Sequence, residues 1–456
     1  MDAIAHALPH QFARRAATAQ FMVDLESYYT GFLEGKSTRE IVDMPIPPDH
    51  LDHAAVEDCR SISAMVALVR QTVYQVSWDA VDYANDVSKA ALPNPDVEAR
   101  LMAKYPPLIP CAEVICRQDD NLPLIVGPAI VTDVKGRILL WSLPQVLSDT
   151  RQAKILRDTR LLEGQMTIEE PEPGAKVTKG WRTVSTFYSK NGEWISGSTL
   201  LYPAGYQQGH VGSNFNPAPS ADVRTTRAAD WMAAFEENGG ILDGILAMTH
   251  PKLYEAAQKA TETIWREHSD SRAIMATWPS CFSALQVIIN RSTLGHCDCH
   301  GAPGWFDLLV TLGTYGKKAV LELHGLGISL PYNAGTIVPL SSKLLLHGVP
   351  KVRGERVCYA FYMHSAILGH FNVPVDAVTY SEARRPRDHV LGHLTEHAVA
   401  ERLRTLGLST DLPRGDLGTS AHVKHKADGD GKDGDGGSED TGSMGGGDDE
   451  DVEMKD

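Results

Sequence analysis

The sequence predicts an α+β chain in which helices come first and a strand-rich region follows. Up to about residue 105, apolar residues recur at helical spacing. From about residue 107 the pattern changes to short apolar runs separated by glycine, asparagine and proline. Many short strands joined by such turns are typical of a β-sandwich or barrel.

The N-terminal part is predicted to form two helices. One covers residues 11–34, and the other runs from about 53 to 91. The proline-rich segment 44–49 separates them, and two further prolines follow the second helix, which they end because proline cannot continue a helix. We therefore interpret residues 1–105 as a helical N-terminal extension.

The next part of the chain is predicted to contain two hairpins and two helical regions. Residues 124–141 form a hairpin around the Lys135-Gly136 turn, and residues 181–202 form another around an Asn-Gly turn. Helical patterns cover 149–164 and most of 226–268.

Strands resume at residue 282 and form the predicted core. They cover 282–290, 307–312, 319–323, 328–332, 336–340, 343–347 and 356–364. The domain is expected to span 106–380, with its core at about 275–366. A helix at 381–412 and an acidic, disordered tail at 413–456 follow, since the tail is too polar to form a core.

Composition limits the classes of function. The chain has 456 residues and a net charge of −15, of which residues 427–456 contribute −10. The nearly balanced remainder does not exclude nucleic-acid binding, which depends on a local patch. No apolar run is long enough to span a membrane. An odd number of cysteines, seven, without a leader-like N-terminus predicts reduced thiols in the cytosol or nucleus.

A His-x-Asp pair, His296 and Asp298, follows the apolar run at 286–290. Residues i and i+2 of an extended segment point to the same face, so both side chains can reach one ion. His347 ends another apolar run 51 residues later. Two histidines and one carboxylate form the facial triad of non-haem Fe(II) oxygenases. Nine residues further on, Arg356 could hold the carboxylate of an acidic cosubstrate.

Other ligand sets remain open from the sequence. His296, Cys297, Cys299 and His300 could bind zinc, although zinc sites usually space their cysteines more widely. His324 and His364 are rivals to His347 as the second histidine.

These residues and their spacing resemble the TET/JBP family of Fe(II)- and 2-oxoglutarate-dependent nucleic-acid dioxygenases, and look most similar to its basidiomycete fungal members. The resemblance covers about 275–366. The residues that carry it are Asn290-Arg291, His296-x-Asp298, Pro303-Gly304-Trp305, His347, Gly354-Glu355-Arg356 and the closing strand Val357–His364.

The resemblance implies a double-stranded β-helix (jelly-roll) dioxygenase core with flanking helices. It also implies Fe(II) and 2-oxoglutarate as cofactors. His296, Asp298 and His347 would be the catalytic metal ligands. Arg356 matches the arginine that binds 2-oxoglutarate, and Arg291 matches a second arginine near that cosubstrate.

His364 and Tyr362 match positions that could contact a flipped base. There is one departure from the family pattern. Three residues after Asp298, some 5-methylcytosine oxidisers have an acid, and here that residue is Gly301. This difference weakens the inference that the chain shares the cytosine specificity of those enzymes.

The implied function is oxidation of a methyl group on a DNA base, with 5-methylcytosine converted to 5-hydroxymethylcytosine and onward. An N6-methyladenine demethylase of the same fold, and a dioxygenase acting on a protein or small molecule, are the alternatives; a barrel without catalysis is a third. The expected partner is duplex DNA with a flipped base. We also expect a monomer located in the nucleus.

Overall fold

The computed structural model describes residues 8–35, 43–90, 94–108, 122–125, 127–174, 180–189, 192–206, 216–315, 319–373 and 379–383. All of them lie in one compact unit, Met1–Arg414. The second unit, Gly415–Asp456, lies outside the described residues.

Within these residues the α-helices are α1 (His10–Leu33), α2 (His53–Val69), α3 (Ala80–Val87), α4 (Pro95–Lys104), α5 (Asp149–Thr159), α6 (Thr226–Thr249), α7 (Pro251–Glu267), α8 (Ser269–Met275) and α9 (Ser365–His370). The strands are β1 (Val73–Gln75), β2 (Ala129–Thr132), β3 (Ile138–Ser142), β4 (Gly197–Leu201), β5 (Ala284–Ile289), β6 (Thr293–His296), β7 (Asp307–Gly313), β8 (Val320–Leu323), β9 (Ile328–Pro331), β10 (Ile337–Leu340), β11 (His347–Val349) and β12 (Arg356–Tyr362).

The strands form a major and a minor sheet. The major sheet has the order β1-β2-β3-β10-β7-β12-β5-β4, and the minor sheet has the order β6-β11-β8-β9. Apart from the parallel pair β1–β2, the pairings are antiparallel. The predicted class is confirmed: an α+β chain with a jelly-roll core and a helical N-terminal region.

Along the central strands, successive side chains pack alternately into two hydrophobic cores. On β12, Val357, Tyr359 and Phe361 pack into a core shared with α1, α2, α6 and α7. On β7, Leu309 packs instead into a core that includes residues of the minor sheet. Successive side chains of a strand point to opposite faces. Arg356 and Tyr362 on β12, and Asp307 on β7, therefore face the minor sheet.

The N-terminal helices pack against the helical face of this sheet. A buried ion pair joins Arg15 of α1 to Asp243 of α6, with 3.3 Å between Nε and Oδ2. A Cβ added at Gly244 would clash with the side chain of Met22, so the glycine allows the two helices to pack closely here. The extension thus shares a core with the strand-rich region.

Three sequence predictions about local structure are wrong. The strand predicted at 343–347 is not formed, because residues 342–344 form a turn and β11 begins at His347. The helix predicted from 53 to 91 ends at Val69, and β1 and α3 follow it. Residues 73–76 are Val-Tyr-Gln-Val, of which all but Gln75 are β-branched or aromatic residues that favour a strand, and Val73–Gln75 pair with β2. Asp79 then accepts a hydrogen bond from the amide of Val81 and begins a new helix.

The hairpin predicted at 181–202 is also wrong. Ser185–Phe187 form a 3-10 turn, and β4 pairs with β5 instead. The apolar edge of β5 provides β4 with a longer partner than the polar segment around Trp181 could. The hairpin predicted around Lys135-Gly136 is confirmed, because β2 pairs with β3.

Some predictions are left without a test. The domain limits stay predictions, and the helix at 381–412 and the acidic tail lie outside the described residues, apart from 381–383. Among the helices that the structure describes, none has the length and apolar character required to cross a membrane.

Candidate metal and cosubstrate site

Strand pairing in the minor sheet brings the three predicted metal ligands together. His347 at the start of β11 is the cross-strand partner of His296 at the end of β6. The register shifts after this pair, and such an irregularity re-aims side chains. Asp298 lies 3.4 Å from Nε2 of His296 and 3.6 Å from Nε2 of His347. The three ligand atoms all lie within 4.8 Å of one another.

Backbone carbonyls fix both imidazoles. Nδ1 of His296 lies 2.9 Å from the carbonyl oxygen of Leu294, and Nδ1 of His347 lies 2.8 Å from that of Leu345. A carbonyl can only accept, so each Nδ1 carries the proton and each Nε2 presents its lone pair towards Asp298. This donor set fits a divalent cation such as Fe(II).

Burial and nearby charges keep the site ready for a cation. Burial, together with the neighbouring His296, lowers the pKa of His347 to about 4. Burial would raise the pKa of Asp298, but its interactions with His296, His347 and the Arg182 guanidinium outweigh burial and hold that pKa below its usual range. At neutral pH a neutral His347 and an ionised Asp298 are therefore available without loss of a proton.

Two buried arginines lie beside this group. Arg356 begins β12 and donates from Nη2 to the carbonyl oxygen of Arg291. Arg291 donates from Nη1 to the carbonyl oxygen of Arg182 at 3.0 Å, and its Nε is buried without a partner. In the part of the chain that the structure describes, neither guanidinium is paired with a carboxylate. Buried cations without a counter-ion favour an anionic ligand.

Asn290 holds Arg356 in place, a role that the sequence analysis missed. Its backbone has a φ of 62°, a left-handed conformation that asparagine tolerates better than most residues. Its Oδ1 accepts from the backbone amide of Arg356 at 2.8 Å. The signal in the sequence was an asparagine directly after a strand-like run.

Tyr362 and His364 lie in a second cluster with His300. The ring centroids of His300 and His364 are 4.4 Å apart, and those of Tyr362 and His364 are 5.2 Å apart. Burial lowers the pKa of His364 to about 3, so its ring is neutral. Burial raises the pKa of Tyr362, as do the charges of Asp298 and Asp307. Those charges connect this cluster to the metal group.

Asp307 was also missed. It is buried, faces the minor sheet and accepts a hydrogen bond from the hydroxyl of Ser342. Ser342 in turn accepts from the backbone amide of Asp298 at 3.0 Å through its carbonyl oxygen. Burial raises the pKa of Asp307 well above its usual range, and the charge of Asp298 adds to this. Only the strand register reveals that this acid and Tyr362 lie near each other.

The rival ligand sets are not assembled. Among the described residues, His296, Asp298 and His347 are the only group of three or more His, Cys, Asp or Glu residues with ligand atoms this close. The thiol of Cys297 points to the carbonyl oxygen of Leu344, and burial raises its pKa to about 12. His324 pairs with Glu322 at 3.5 Å.

Comparison with known proteins identifies the domain. Residues 203–365, which include the seven predicted site residues, match the family model Tet_JBP, the oxygenase domain of the 2OGFeDO superfamily. A solved structure of NgTET1 in complex with 5mC DNA aligns with a TM-score of 0.36 and 10% identity over 63% of this chain and 92% of that chain. No curated protein matches the sequence. Residues 203–365 therefore carry an Fe(II)- and 2-oxoglutarate-dependent oxygenase domain, and the protein is an oxidoreductase that uses these two cofactors.

Proposed function

We propose that this protein oxidises the methyl group of a modified base in DNA, with 5-methylcytosine as its preferred target. One observation supports the proposal above all. Near the metal group lie buried arginines without a carboxylate partner among the described residues, and a half-buried Tyr362–His364 pair with a buried acid, Asp307. This cluster provides an aromatic face and polar groups, the means by which a flipped base is recognised.

We assign the cofactors to residues as the sequence predicts. His296, Asp298 and His347 hold Fe(II), and Arg356 binds a carboxylate of 2-oxoglutarate with Arg291 beside it. With dioxygen these cofactors supply a two-electron oxidation that inserts one oxygen atom into a C–H bond, while 2-oxoglutarate becomes succinate and carbon dioxide.

The second cluster is assigned to the base. Tyr362 stacks on the ring, and His364, neutral at physiological pH, offers one donor and one acceptor. Asp307 takes the place of the acid that is missing at Gly301, since its carbonyl oxygen can accept from an exocyclic amino group whether or not the acid is ionised. Both cytosine and adenine carry such a group, so N6-methyladenine is the alternative target.

The remaining details are part of the same proposal. A base inside a duplex cannot reach a buried metal, so the substrate is duplex DNA with the target base flipped out. The protein acts as a monomer in the nucleus, and it is of the fungal, basidiomycete type within the family that it resembles.

The proposal is tested with purified protein, Fe(II), 2-oxoglutarate, oxygen and duplexes that carry 5-methylcytosine or N6-methyladenine. Mass spectrometry of the digested nucleosides identifies the product. We expect an oxidised or demethylated base that is absent with a His296→Ala/Asp298→Ala variant. Succinate release while every duplex stays unchanged would instead indicate that the substrate is a protein or a small molecule.

A further inference from the structure

A short segment before β4 lies directly on the metal group. Residues 187–189 run beside Asn290–Ser292, with hydrogen bonds of 2.8 Å from the amide of Ser189 to the carbonyl oxygen of Asn290 and from the amide of Ser292 to that of Phe187. The hydroxyl of Tyr188 donates to the carbonyl oxygen of Arg182 at 2.6 Å. These bonds hold Trp181 and Arg182 beside the site.

Trp181 contacts both halves of the site. Its ring lies edge-on to the ring of His296, with 4.9 Å between centroids. The guanidinium carbon of Arg182 is 4.5 Å from the indole centroid, and that of Arg291 is 5.1 Å away. Because two guanidinium groups contact its ring, Trp181 can hold a guanidinium at the edge of the site by cation–π attraction.

Arg182 also contacts a metal ligand. Its Nη2 lies 3.8 Å from Oδ1 of Asp298, with the two side chains 47% and 34% exposed. An ion pair this exposed and this long is weak. A divalent cation bound to Asp298 would take the carboxylate and repel the guanidinium, so both interactions cannot be kept.

We propose that Arg182 is a displaceable counter-ion of Asp298, which neutralises the carboxylate before the metal binds and moves fully onto Trp181 when the metal takes its place. Arg182 is thus a positioning residue that competes with the metal. The displaced guanidinium is retained at the edge of the site, where it can meet an anion.

The test is the affinity for Co²⁺ alone, followed by visible absorption, for the full-length protein without 2-oxoglutarate. We expect Arg182→Gln to bind Co²⁺ roughly threefold to tenfold more tightly, because a weak ion pair and one repulsive charge are removed. Arg182→Lys keeps the charge and should stay near the wild-type affinity. The advantage of Arg182→Gln should shrink as salt is added, because salt screens exposed charges.

Arg160 offers a closely matched control. Its guanidinium lies 3.9 Å from the ring of Trp194, 4.0 Å from Glu193 and 2.8 Å from Glu163, and its side chain is 42% exposed. Arg160→Gln should leave Co²⁺ affinity unchanged. Equal or weaker Co²⁺ binding by Arg182→Gln would overturn the proposal. No DNA is present in this experiment, so its outcome is independent of the substrate proposed above.

Discussion

At the scale of single residues, the charges in the site follow from what surrounds each group. His347 stays neutral because it is buried beside another histidine, and Asp298 stays ionised because it faces His296, His347 and Arg182. Arg356 and Arg291 are buried without a carboxylate among the described residues. The metal group thus offers a net negative charge and its neighbours a positive one, which suits a dication and a dicarboxylate side by side.

Replacement of Arg356 tests the cosubstrate half of the site. In Arg356→Gln we expect 2-oxoglutarate to bind Co²⁺-loaded protein about 100-fold more weakly, because a charged, two-pronged contact is lost. Arg356→Lys keeps the charge but lacks the planar guanidinium, so its affinity for 2-oxoglutarate should fall about tenfold. Calorimetric titration without oxygen measures both. The exposed neighbour Arg353 provides the control, and wild-type affinity in Arg356→Gln would exclude the assignment.

Replacement of Asp307 tests the recognition of the base. Asp307→Asn can turn a donor towards the exocyclic amino group, so we expect kcat/KM on the preferred duplex to fall about tenfold. Affinities for Co²⁺ and 2-oxoglutarate should stay within about twofold, since Asp307 touches neither ligand. Steady-state kinetics on duplexes with 5-methylcytosine and with N6-methyladenine is the measurement. An unchanged kcat/KM on the preferred duplex would show that Asp307 does not contact the base.

At the scale of elements, the site depends on pairings between strands far apart in sequence. The runs at 282–290, 307–312 and 356–364 could be predicted as strands because their β-branched and apolar residues are flanked by turns. The pairing of β6 with β11 could not, because it joins segments separated by β7 to β10. Asp307 and Trp181 were missed for the same reason. Local patterns do not show which distant strand or loop lies opposite.

His250 links an element boundary to the loop that follows Asp298. Its Nδ1 accepts from the amide of Leu253 at the start of α7, and its Nε2 donates to the carbonyl oxygen of Gly304 at 2.9 Å. Only the neutral ring can accept at Nδ1, so protonation breaks the bond from Leu253, whereas Nε2–H can donate to Gly304 in either form. Burial lowers the pKa of His250 from its ordinary 6.5 to about 4. Its stabilising contribution is therefore complete above pH 6.5 and is lost progressively as the pH falls towards 4.

We expect this single group to remove about 2 kcal/mol from the free energy of unfolding between pH 7 and pH 5. Urea denaturation at both pH values measures the loss. His250→Asn can still cap α7 through its side-chain oxygen but does not titrate. The fall in its free energy of unfolding between pH 7 and pH 5 should therefore be about 2 kcal/mol smaller than in the wild-type protein. Equal pH dependence in the two proteins would contradict the burial argument.

At the scale of the whole molecule, the chain separates a nearly balanced body from an acidic end. Residues 427–456 hold twelve acidic residues and two lysines, and they account for −10 of the net charge of −15. If the substrate is DNA, this segment opposes binding through long-range repulsion. The oxygenase body carries the site, and we predict that the acidic segment lowers its affinity for DNA.

Deletion of 427–456 should tighten the binding of duplex DNA by about threefold at low ionic strength, and the gain should vanish at high salt. Fluorescence anisotropy with a labelled duplex measures the affinity. A full-length variant in which the Asp and Glu residues of this segment are replaced by Asn and Gln distinguishes the effect of charge from the effect of chain length. If the deletion changed neither the affinity for DNA nor its salt dependence, the acidic segment would have no effect on DNA binding.

We infer that a metal binds between His296, Asp298 and His347, and that Arg356 holds the cosubstrate. Anomalous diffraction from crystals grown with Mn²⁺ and 2-oxoglutarate would locate both ligands. We expect one strong metal peak in contact with all three side chains, and a 2-oxoglutarate carboxylate paired with Arg356. A metal bound instead by Cys297, Cys299 or His300, or a cosubstrate that does not reach Arg356, would show that this assignment is wrong.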